Sequence, residues 1–128
     1  NILVYAVDQD AVARREASRK VIASVVADGS GVISTQVMQE FYVAATRKLG
    51  MPPLAAKTVL NTFAVFEIVQ VSPELIQGAI DCSVLNTLSF WDALIVAAAA
   101  SAGCARVYTE DLNAGQTVLG VAIENPLG

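Results

Sequence analysis

Three carboxylates stand where an acidic side chain is costly unless something positive meets it. Glu40 lies three residues after Val37 and four before Ala44, at the edge of an apolar helical stripe and not on its solvent face. Asp92 opens the most apolar helix of the chain, in register with Ile95, Val96 and Ala99, and Asp111 follows a strand expected over 106–109. In open parallel sheets ligands bind beyond the carboxyl ends of the strands, so acids just after a strand or early in the next helix are the first candidates. Desolvating an unpaired carboxylate costs on the order of several kcal/mol, which asks for a compensating positive partner. Each residue also has a plainer reading. Glu40 could be a marginally exposed helix residue paired with Arg47 or Lys48; Ser89-Phe90-Trp91-Asp92 fits an S-x-x-D capping box; Asp111 could shape an Asx turn. Glu110, Asp8 and Asp10 read as solvated turn charges. Taken together, hard oxygen donors without histidine or cysteine suit Mg²⁺ or Mn²⁺, and such ions bind through carboxylates and substrate phosphate, which points to phosphodiester chemistry.

Composition narrows the alternatives. The chain has no histidine, which removes Ser-His-Asp and Cys-His hydrolysis, paired-histidine RNA cleavage and most zinc sites. Cys82 and Cys104 form neither a C-x-x-C pair nor a metal spacing and read as reduced thiols packed in apolar stretches. A net charge of −4 argues against a nucleic-acid partner, since phosphate binding is largely electrostatic, but its distribution matters more than its total. Arg14, Arg15, Arg19 and Lys20 nevertheless sit together, as do Arg47, Lys48 and Lys57, so a local basic rim around an acidic pocket is expected. The longest uncharged apolar run, 93–105, would make a helix of about 20 Å against a bilayer core of ~30 Å, too short to span it. Segment 2–7 lacks the basic flank and the length of a secretory signal, so the expected location is cytoplasmic, with no membrane partner.

The elements that must position these acids follow from periodicity and punctuation. The 128 residues are enough for one domain over 1–128, and 55% hydrophobic residues fit a sheet buried on both faces. Segment 2–7 is a continuous apolar run with β-branched members, read as a central strand that ends at Asp8-Gln9-Asp10. A helix over 11–27 stops at Gly29, Val32-Ile33 is a short second strand, and Val37, Met38, Phe41, Ala44, Ala45 and Leu49 mark a helix from Thr35 to Gly50. Further helices are expected over 54–66, from Pro73 to about Leu85, and from Ser89 to Gly103; further strands over 67–71, 106–109 and 118–123. The alternation predicts an α/β fold, a three-layer α/β/α sandwich with a central parallel sheet of four or five strands.

With the motifs in place the chain resembles the PIN domain family. Asn1-Ile2-Leu3-Val4-Tyr5-Ala6 resembles the end of its opening D-x-N-x-L motif, and Glu40 matches its helical glutamate. Ser89-Phe90-Trp91-Asp92-Ala93-Leu94 resembles its S-x-x-D-x-x-L motif, and Thr109-Glu110-Asp111-Leu112 its T-x-D motif, all in the family's order. The resemblance implies a PIN-like sheet with the acids gathered at one end, Mg²⁺ or Mn²⁺ in the site, and RNA as substrate, hydrolysed to leave a 3′-hydroxyl. It makes Asp92 and Asp111 metal ligands, Glu40 a further ligand or the group that activates water, and Asn1 and Thr109 supports. It places one more aspartate two residues before Asn1, so the domain is expected to lack the first few residues of its opening strand, and it puts Asn113 where many relatives carry a fourth acid. Many such single-domain proteins are toxins, and the resemblance to the VapC-like ones implies a homodimer silenced by an antitoxin protein; Gly115-Gln116 with 120–126 looks like one bacterial subgroup of them. The alternatives are a catalytically degenerate PIN-fold module that binds RNA or protein, and a phosphoacceptor receiver domain, disfavoured because no lysine follows the strand ending near Thr109.

Overall fold

The computed structural model describes residues 2–128; Asn1, expected to support the site, lies outside the described residues. The most apolar stretch forms helix α6 (Phe90–Ser101), which starts where the extended Ser89 accepts a hydrogen bond from the Asp92 amide. Ala93, Leu94 and Val96 to Ala99 are buried, so this helix is covered on nearly every side. Its alanines let α5 (Pro73–Asn86) approach closely through Ala79 and Cys82. Helix α5 is itself started by Ser72, whose hydroxyl accepts from Leu75 N at 3.1 Å, and by Pro73 in the first turn.

Two sheets flank α6. Strand β1 (Val32–Ser34) pairs in parallel with β2 (Glu67–Val69), Val32 opposite Glu67 and Ser34 opposite Val69. Strand β3 (Arg106–Tyr108) pairs in parallel with β5 (Val121–Glu124), which carries β4 (Thr117–Val118) antiparallel on its other side. The expected single parallel sheet of four or five strands is therefore replaced by a two-stranded parallel sheet and a three-stranded mixed one. The strand expected over 118–123 is divided because Leu119 and Gly120 both have positive φ, 52° and 77°, the geometry of a tight two-residue hairpin turn.

Segment 2–7 is the largest departure. It contains a helical turn, α1 (Ile2–Tyr5), with Ala6 N donating to Ile2 O at 3.2 Å, and not the central strand its β-branched residues predict. A short apolar run has no periodicity to separate a strand from a buried helical turn, and only pairing with a neighbouring edge would hold it extended. Here a helical turn satisfies its own backbone, and Val4 packs into a second core with Phe41, Ala45, Ala56 and Phe63. That core joins α1 to α3 (Thr35–Arg47) and α4 (Pro53–Thr62); the helix expected over 54–66 tightens into a 3₁₀ turn at Phe63–Val65. Helix α2 (Val12–Asp28) ends at Gly29 in the left-handed region. Gly31 is kept for space: a Cβ there would press into the Phe66 ring and the Val25 side chain.

Both cysteines are free, and burial pushes the Cys82 and Cys104 thiols above their ordinary pKa. Among the described residues no single helix is long and apolar enough to cross a membrane; α5 and α6 together reach that test but are bent by 116°. Phe41 is fully buried and meets Phe63 edge-on at 5.1 Å between centroids. Phe41→Ala is therefore expected to cost about 3–5 kcal/mol, read from the urea midpoint. Val43→Ala on the exposed side of the same helix should cost under about 1 kcal/mol, and equal losses would move the second core elsewhere.

Candidate functional site

Ser34 ends β1 and starts α3, its hydroxyl accepting from Val37 N at 3.3 Å. Glu40 follows on the second turn of α3. Its carboxylate is exposed, and among the described residues its side-chain partner is Gln36, not Arg47 or Lys48. The Gln36 side chain is buried; its Nε2 donates to Glu40 Oε2 at 3.3 Å and to the Trp91 carbonyl at 3.0 Å. Both partners are acceptors, so the orientation of the amide follows from chemistry. Gln36 thereby ties Glu40 to the first turn of α6, where the half-buried Asp92 follows Trp91.

At Asp92 one half of the expected capping box is present: Ser89 Oγ accepts from the Asp92 N–H at 3.1 Å. The cap uses the Asp92 backbone, and among the described residues the carboxylate has no hydrogen-bond partner, which leaves it available. After β3, Thr109 Oγ1 accepts from Asp111 N at 3.1 Å and fixes the turn that carries the exposed Asp111. Asn113 is exposed in the same loop. Glu110 is not a solvated turn charge: it accepts from the Tyr5 hydroxyl at 2.8 Å and from Arg14 at 2.6 Å. Asp8 does shape the expected turn, accepting from Asp10 N at 3.0 Å.

These segments surround a cleft of about 830 Å³ between β1 and β3, whose walls include Ser34, Val37, Glu40, Thr109, Glu110 and Asp111. Glu40, from α3, and Asp111, from the loop after β3, thus line one cavity, while Asp92 stands outside its lining, next to the Trp91 carbonyl that Gln36 holds. Among the described residues no three carboxylates come close enough to share one metal ion. The basic group of α2 is largely committed to structure. Arg14 holds Glu110 and lies 5.1 Å over the Tyr5 ring, Arg15 donates to Gln9, and Arg19 donates to the Ala6 carbonyl. These bonds dock α1 and the Asp111 loop against α2.

Gln36 and the Tyr5–Arg14–Glu110 group are the site features that sequence reasoning missed. A glutamine four residues before Glu40 was a usable signal for the first, because that spacing makes helical neighbours. No local pattern announces the second, whose partners are 105 and 96 residues apart. Burial pushes the Glu110 carboxyl up, but the Tyr5 hydrogen bond together with nearby positive charge, that of the amino terminus and of Arg14, outweighs it and holds the group below its ordinary value. The same bond, with burial, raises the Tyr5 phenol. A carboxyl depressed in the folded state stabilises the fold above its unfolded pKa, and that contribution is lost as pH falls through the folded value. Glu110→Gln should therefore lower stability at pH 7 by about 0.5–1 kcal/mol, a figure kept small because Arg14 is half exposed. The gap to wild type should close below roughly pH 4. A gap that stays constant with pH would assign the loss to packing.

The family model of the PIN domain matches residues 1–117, a span that contains every carboxylate of the site and the stretches around Asn1, Glu40, Ser89 and Thr109, but only the start of the 115–126 ending. A search of curated proteins finds no match. The chain belongs to the PIN domain family, a family of nuclease-type α/β domains that generally use divalent metal ions.

Proposed function

We propose that this PIN domain is a Mg²⁺- or Mn²⁺-dependent endoribonuclease, the toxin of a bacterial toxin-antitoxin pair. The observation that carries this reading is that Glu40, on α3, and Asp111, in the loop after β3, line one cleft, while Gln36 joins Glu40 to the Trp91 carbonyl just before Asp92. The donor set is all oxygen, as a hard cation requires, and Mg²⁺ needs only one or two carboxylates beside water and substrate phosphate. Asp92 and Asp111 are the proposed ligands. When bound, the ion would supply charge neutralisation at the phosphate and a more acidic water. Glu40, exposed to the cleft and oriented by Gln36, would accept the proton of the attacking water, and Thr109 keeps Asp111 in place. The RNA substrate, homodimer and antitoxin partner are part of the same proposal and rest on the family resemblance; a cytoplasmic location is proposed with them, as the place where such an enzyme meets RNA.

A second reading, a degenerate module that binds RNA or protein without cutting, is favoured by one observation: among the described residues no three carboxylates gather at metal-sharing distance. A cleavage assay on RNA with and without Mg²⁺ separates the two. Asp92→Asn should stay folded, because Ser89 caps through the Asp92 N–H, and should lose cleavage by about 100-fold or more. Glu40→Gln should lower kcat by roughly 100-fold while shifting the Mg²⁺ midpoint much less. Wild-type protein that binds RNA yet leaves it intact at saturating Mg²⁺ and Mn²⁺ would put the binding module in place of the nuclease.

A further inference from the structure

Gln36 is a polar residue with 3% exposure in a position an apolar side chain could fill. Its Nε2 serves two acceptors at once, the Glu40 carboxylate and the Trp91 carbonyl, while its buried Oε1 has no hydrogen-bond partner among the described residues. A buried acceptor without a partner costs free energy, which offsets part of what the two bonds from Nε2 contribute, so stability alone is a weak reason for a glutamine here. What an apolar isostere cannot do is hold two elements from one nitrogen. The two acceptors lie on different helices: Glu40 one turn further along α3, and Trp91 in the first turn of α6, one residue before Asp92. The carboxamide thus sets where Glu40 stands relative to the α6 N-terminus.

We infer that Gln36 is a positioning residue, a clamp that holds the water-activating Glu40 in register with the metal-ligating Asp92. This rests on the nuclease reading above. Gln36 is buried and outside the cleft lining, so its loss would act through the geometry of the two carboxylates. In catalytic sites the residues that orient ligands change metal affinity or activity by about 10–100-fold when removed.

The test uses the full chain and two variants, Gln36→Met, which keeps length and volume but removes the donor, and Gln36→Glu, which keeps the shape and sets a third acceptor between two others. Mn²⁺ binding is followed by EPR, and cleavage is followed as kcat, as KM for RNA and as the Mg²⁺ midpoint, at a temperature where circular dichroism shows each variant folded. The expected result for Gln36→Met is a melting temperature within a few degrees of wild type, kcat lowered or the metal midpoint raised about tenfold, and KM for RNA unchanged. Gln36→Glu should lose more. A purely structural glutamine would move the melting temperature and leave kcat, KM and the metal midpoint of the folded protein alone, and that result overturns the clamp. Failure of both variants to fold also overturns it, by assigning Gln36 to stability. If wild type itself neither binds Mn²⁺ nor cuts RNA, the nuclease reading falls and takes the clamp's function with it, an outcome distinct from variants that match an active wild type.

Discussion

The fold depends on covering α6. A helix that is apolar on nearly every face cannot lie on a surface, and its run from Ala93 to Ala99 has to meet protein on all sides. Helix α5 takes one side, and β1, β3 and β5 take others, so two small sheets that share no ladder are held in one frame by the helix between them. Because small side chains dominate its surface, backbones come close, and the position of α6 along its axis is set tightly by packing. That in turn sets its first turn, where Trp91 and Asp92 emerge from the core.

The acids of the cleft are then placed by short polar ties, each from a different element. Gln36 links Glu40 to the Trp91 carbonyl of α6, Thr109 fixes the backbone of Asp111, and Ser89 caps the helix whose first turn carries Asp92. The N-terminal end of α6 is the favourable pole for a carboxylate, so Asp92 carries its charge there at reduced cost. Arg14 and Tyr5 take up the charge of Glu110, the acid next to Asp111. Without that, two adjacent carboxylates at the mouth of one cleft would repel each other with little to offset it. Three of the four basic residues at the start of α2 make these or neighbouring bonds, which is why the basic rim expected around the pocket is mostly internal bracing.

Much of this was legible from residues alone where the signal is local. The helices over 35–47, 73–86 and 90–101 were marked by apolar spacing, by Pro73 and by the Ser89 box, and their physics is that of neighbours one turn apart. The candidate carboxylates stood out by their place on an apolar stripe or beyond a strand end, although the structure leaves Glu40 and Asp111 exposed and only Asp92 half-buried. The tertiary structure decided whatever depends on a distant partner. Segment 2–7 has the composition of a strand, yet an extended segment needs an edge to bond to, and its helical turn bonds to itself while Val4 finds Phe41 and Phe63. The division of the sheet, the tie from Gln36 to Trp91 across 55 residues, and the capture of Glu110 by Tyr5 across 105 have no trace in local pattern, because hydrogen bonds of that separation exist only once packing has brought their ends together.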